Sequence, residues 1–142
     1  MTQNYPTDLL QGWNILIVDD EEDSLAVAEF MLSFYGANVT CAGNGQEALT
    51  YARQLQPRFI LSDLSMPIMD GWELLHHLRQ DSTLSQTPVI ALTAHAMRGD
   101  RERALASGFY SYITKPLSAD TFIEQVVTLL VGIPEFKAEL SL

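Results

Sequence analysis

What most constrains this chain is a five-fold alternation. Short apolar, β-branched runs that stop at polar or acidic residues are separated by longer stretches with helical spacing. The runs are 14–18 (NILIV), 38–42, 59–61, 89–92 and 109–113. Runs so brief and so continuously apolar suit strands buried on both faces. Between the first two, 23–35 carries Leu25, Ala28, Phe30, Met31, Leu32 and Phe34 in a helical arrangement and ends at Gly36. Asn44 with Glu47 predicts a capping box for a helix using Ala48, Leu49, Ala52 and Leu55, stopped by Pro57. Asp70 with Glu73 predicts another for a helix over 71–80. Segment 95–107 is charged nearly all round in its middle, so its helix is weakly amphipathic; it closes at Gly108. Ser118 is expected to cap a last helix that turns Phe122, Ile123, Val126, Val127 and Leu130 inward. Five strands alternating with five helices over short connections predict an α/β fold, an open parallel sheet covered on both faces.

Composition narrows the function classes. The 142 residues carry 8 Lys plus Arg against 18 Asp plus Glu, a formal charge of −10. Nucleic acid and anionic membrane surfaces call for clustered cations, so neither is expected as a main partner. One cysteine, Cys41, allows no internal disulfide and no thiolate metal cage, which points to a reducing, cytoplasmic setting. No apolar stretch approaches the length of a membrane span, and the opening MTQNYPTDLLQGW lacks a signal-peptide pattern.

In open parallel sheets, functional groups gather beyond the carboxyl ends of the strands. Standing there are Asp19 and Asp20 after the first run, Asp63 after the third, Thr93 after the fourth, and Thr114 with Lys115 after the fifth. The segments ILIVDDEED, ILSDLSMPIMDG, VIALTAHAM and YITKP, in this order, resemble the receiver domain of two-component response regulators. The likeness covers about 13–131, leaving 1–12 and 132–142 as expected tails, with no room for an output domain. It implies a doubly wound, flavodoxin-like five-stranded sheet in the order 2-1-3-4-5. It also implies a non-enzymatic phosphorelay switch, single-domain and similar to chemotaxis regulators.

The resemblance assigns Asp63 as acceptor of a phosphoryl group from a histidine kinase or a histidine phosphotransfer protein. Asp19, Asp20 and Asp63 would crowd like charges together, at about 1 kcal/mol per pair in water and about 4 kcal/mol at a surface dielectric. Mg²⁺, or Mn²⁺ in its place, relieves that. By family analogy Asp20 and Asp63 ligate directly, Asp19 ligates through water, and Ser65 offers its main-chain carbonyl. Lys115 and Thr93 would contact phosphoryl oxygens. Lys115-Pro116 is expected to be cis, Thr93 and Tyr112 to act as the switch pair, and Ser65 and His95 to tune phosphate lifetime. The helix over 95–107, the fifth strand and the last helix would form the partner surface.

Other residues read more plainly. Glu22 and Asp23 suit a helix N-terminus, while Glu21 stays open. His76 and His77 lack ligand spacing, Trp13 and Trp72 read as packing or rim residues, and Cys41 as a small buried hydrophobe. A phosphate-independent receiver, or a receiver cut from a hybrid kinase, is the alternative. A flavin carrier would need a phosphate nest where five acids stand, and an aspartyl phosphatase a second acid where Ser65 stands. Ser62, in a place the family usually fills with an apolar residue, departs from the pattern.

Overall fold

A computed structural model describes residues 4–94 and 98–140. In it the five runs become β1 (Asn14–Val18), β2 (Asn38–Ala42), β3 (Phe59–Asp63), β4 (Val89–Thr93) and β5 (Ser111–Thr114). All four pairings are parallel and the sheet order is β2-β1-β3-β4-β5. Alternate strand residues enter opposite cores. Ile15, Ile17, Phe59 and Leu61 meet α1 (Glu22–Phe34) and α5 (Phe122–Leu130) on one side. On the other, Leu16, Val18 and Ile60 meet α2 (Gly45–Leu55), α3 (Gly71–Gln80) and α4 (Arg98–Ser107). Two-sided burial is why the strands read as unbroken apolar runs.

Capping chemistry sets the starts of α2 and α3 and the end of α4. Asn44 Oδ1 accepts the Glu47 N–H at 2.9 Å, and Asp70 with Glu73 forms a reciprocal capping box. The α4 terminus is a Schellman turn. Gly108 sits at φ 111°, its N–H donating to Leu105 O and the Phe109 N–H to Ala104 O.

The structure corrects several expectations. In α1 the buried residues are Ser24, Ala28 and Leu32, whereas Phe30 and Phe34 are 67% and 55% exposed. Their four-residue spacing places them together on the outer face. The fifth strand starts two residues late, because Phe109 is used by the α4 terminus and Tyr110 N–H makes the first bond to β4, at Val89 O. Ser118 is not the α5 cap. Its carbonyl accepts the N–H groups of Thr121 and Phe122 in a turn, and Thr121 precedes the helix without a side-chain bond.

The ends are packed rather than appended. Leu9 and Leu10 are buried, and a sixth helix, α6 (Pro134–Leu140), buries Phe136 and Leu140 in the α1/α5 core. Trp13, also buried, meets Phe136 at 4.9 Å between ring centroids. Arg58 lies over both rings and donates to Glu139 at 2.6 Å.

Candidate functional site

Register brings the polar strand ends together. Val18 pairs with Ser62, Asp63 with Leu92, and Thr93 with Thr114. Asp19, Asp63, Thr93 and Lys115 therefore emerge side by side at one edge of the sheet, and all four are buried. Asp19, Asp20 and Asp63 each offer a carboxylate oxygen within 4.8 Å of the others.

Backbone groups fix the two inner carboxylates. Asp63 Oδ1 accepts the Leu64 N–H at 2.7 Å and the Ser65 N–H at 3.4 Å. Asp19 Oδ1 accepts the Glu21 N–H at 2.9 Å. Gly71 lets α3 start hard against β3: a Cβ there would collide with the carbonyl oxygen of Asp63. Its N–H donates to Leu64 O at 3.0 Å, tying off the β3–α3 loop. At that loop's tip Ile68 holds φ 69° inside a γ-turn closed by Met69 N–H to Pro67 O, and its side chain is exposed.

Lys115 Nζ is the central cation. It lies 2.7 Å from Glu21 Oε1 and 3.2 Å from Asp63 Oδ2, and donates to both. Asp19 Oδ2 is 2.8 Å away, so this fully buried oxygen is ion-paired with the ammonium. Burial alone would pull the ammonium pKa down, yet the surrounding carboxylates outweigh it and the net shift is upward. Asp63 is pushed up to about 6, first by burial and then by the charge of Asp19, against the opposing pull of Lys115 and the Ser65 N–H. Among the described residues, one ammonium meets four acids, which leaves the cluster short of positive charge. The Lys115-Pro116 bond is cis.

Above Asp63 opens a cleft of about 550 Å³. Asp20, Ser65, Thr93 and Ala94 line it, with Trp72 and Arg103 at its α3 and α4 sides. Tyr112 is half-buried on β5, covered by the Arg101 guanidinium 5.0 Å from its ring centre. His95 lies outside the described residues. Glu21, which sequence left undecided, is a Lys115 partner; the run of acids after β1 was the available signal. Ser62 is fully buried and its hydroxyl donates to the carbonyl of Asp63 at 2.9 Å, so its polarity is satisfied locally.

The family model for the response regulator receiver domain matches residues 15–127. The chain belongs to that family. It is 38% identical over 117 residues to the polar-differentiation response regulator DivK of Brucella anthropi, covering 82% of this chain and 95% of DivK. Among solved structures it resembles the chemotaxis response regulator CheY4 of Vibrio cholerae, with TM-score 0.77 and 28% identity over 83% of this chain and 98% of that one. It also resembles the receiver domain of the sensor histidine kinase PA1611 of Pseudomonas aeruginosa PAO1. There the TM-score is 0.75 and the identity 32%, over 85% of this chain and 98% of that one. That receiver was solved with a magnesium ion coordinated in its active site cleft. The chain is thus a two-component signalling module of the switch type. Among its described residues no helix is long and apolar enough to cross a membrane.

Proposed function

We propose that this receiver takes a phosphoryl group onto Asp63 from a histidine kinase or histidine phosphotransfer protein and regulates protein partners with the altered surface. The carrying observation is the Asp63 carboxylate on the floor of an open cleft, 3.2 Å from Lys115 Nζ and clustered with the oxygens of Asp19 and Asp20. A purely oxygen donor set, three carboxylates with oxygens within 4.8 Å of one another, fits a hard divalent cation. Asp19, Asp20, Asp63 and the Ser65 carbonyl would hold Mg²⁺, with Mn²⁺ as substitute. When bound it neutralises charge between acceptor and phosphoryl oxygens.

The rest falls to the chain. Leu64 and Ser65 N–H groups orient the Asp63 carboxylate, which attacks phosphorus as the P–N bond to the donor imidazole breaks and the imidazole takes up a proton. Lys115 offers positive charge to a phosphoryl oxygen, and the Thr93 hydroxyl a donor to another. Ala94 leaves space. Engagement of Thr93 is coupled to Tyr112, so the response is read out around α4, β5 and α5. Ser65, with His95, sets how readily water reaches the product. The module works in the cytoplasm, without catalysing turnover of an external substrate.

Mg²⁺ with phosphoramidate should add one phosphoryl group to the intact protein by mass, and Asp63→Asn should stay unlabelled. An unmodified wild type that also fails to bind beryllium fluoride would overturn the reading.

A further inference from the structure

The cleft over Asp63 presents an electrostatic problem to any donor approaching it. Besides Asp63 itself, its lining includes Asp20, Glu21, Asp70 and Asp100, and the whole chain carries −10. A phosphoryl donor is itself an anion and is repelled by such a field. Lys115 does little for capture: it is buried and already engaged by Asp19, Glu21 and Asp63. Among the described residues, the cation at the cleft lining is Arg103 of α4, which is exposed. Its guanidinium lies 4.3 Å from the centre of the Trp72 ring, and Trp72 is in turn held edge-on by Phe109 at 5.5 Å. A guanidinium over a ring uses its π surface for support while its N–H edge stays available for oxygen anions, and the support lowers the entropy lost on pairing.

We propose that Arg103, resting on Trp72 at the cleft lining, is a specificity-determining residue that admits small anionic phosphoryl donors to Asp63. The proposal rests on the phosphoacceptor reading above. Arg103 pairs with donor phosphoryl oxygens during entry. Transfer then forms the bond from the Asp63 oxygen to phosphorus and breaks the donor bond, so that acetyl phosphate leaves as acetate. Arg103 itself exchanges no proton and forms no bond. An exposed charge pair acts mainly on capture, so its effect is salt-sensitive.

The test follows the labelling rate of the full chain by intact mass, with Mg²⁺ and acetyl phosphate, at low and high ionic strength. At low salt Arg103→Gln should label about five-fold more slowly, and Arg103→Lys should recover most of the rate. High salt should bring wild type and Arg103→Gln together. All three proteins should reach the same labelled fraction when donor is saturating. Equal rates for wild type and Arg103→Gln at low salt would overturn the proposal. So would a loss that is independent of salt, or one that lysine fails to rescue, since either would assign Arg103 to packing on Trp72 alone. Those outcomes leave the acceptor role of Asp63 intact, whereas a wild type that never labels removes both readings.

Discussion

Two helices flank the fifth strand, and they are attached in opposite ways. In α5 five of nine residues, Phe122, Ile123, Val126, Val127 and Leu130, are buried in the core. In α4 the buried residue among those described is Ala104, and Leu105 is 48% exposed. Among the described residues, two arginines also reach from α4 to its neighbours, Arg101 over Tyr112 on β5 and Arg103 over Trp72 on α3. Burying apolar area fixes a helix in one place, while contacts of cation to ring, worth about 0.5–1 kcal/mol each when exposed, permit adjustment. The rigid helix and the adjustable one lie on opposite faces of the sheet, and of the two it is α4 that lines the cleft over Asp63.

The largest effect should come from Phe122→Ala, which empties a fully buried position on α5 and should cost about 3–5 kcal/mol in denaturant unfolding. A loss below about 1 kcal/mol would break the contrast. Next comes Asp63→Asn, which acts on the charge cluster beneath the cleft that α4 lines. Because the folded pKa of Asp63, about 6, lies above that of a free aspartate, the folded state holds this proton more tightly. Its contribution to stability is present below about pH 4 and is lost as pH rises through about 6. The asparagine variant should therefore melt higher than wild type at pH 7, by something of the order of 1 kcal/mol after allowing for solvent in the cleft. Scanning calorimetry should show that advantage shrinking toward pH 4, and an advantage that is constant with pH would contradict the assignment. Smaller again, Arg101→Ala should cost about 0.5–1 kcal/mol and speed amide exchange in α4 while leaving α5 protected. Least of all, Leu105→Ala on the exposed face of α4 should stay within about 0.5 kcal/mol by denaturant unfolding.

Mg²⁺ offers a separate handle. It should raise the melting temperature through binding the folded state, and Asp20→Ala should erase most of the rise, because removing an exposed ligand leaves the buried Asp19 and Asp63 pair unchanged in packing. No rise in wild type would remove the cation from the account.

The strands were legible because burial on both faces demands apolar runs and parallel register delivers their polar ends to one edge. Gly36 and Gly108 marked helix ends for a physical reason, since both hold positive φ. Legibility failed where one residue serves two elements. Phe109 reads as a strand residue by hydrophobicity, yet its backbone closes α4. Phe30 and Phe34 read as core because they are large and apolar, whereas phase along α1 turns them outward. The signal for α6 was present in Pro134 at a first helical position and in Phe136 with Leu140 four residues on, but so short a helix is held by Trp13 and Arg58, which no local pattern connects to it. Within the site, the acids and Lys115 were visible as strand-end residues. The roles of Glu21, Trp72 and Arg103 depend on side chains meeting across loops and helices.

The decisive measurement is hydrogen exchange, residue by residue, with and without beryllium fluoride and Mg²⁺, on wild type and on Asp63→Asn. Altered exchange is expected around α4, β5 and α5 of wild type, smallest at the buried α5 residues, with no response in the asparagine variant. Identical exchange maps for wild type with and without the mimic, or the same response in Asp63→Asn, would contradict this expectation.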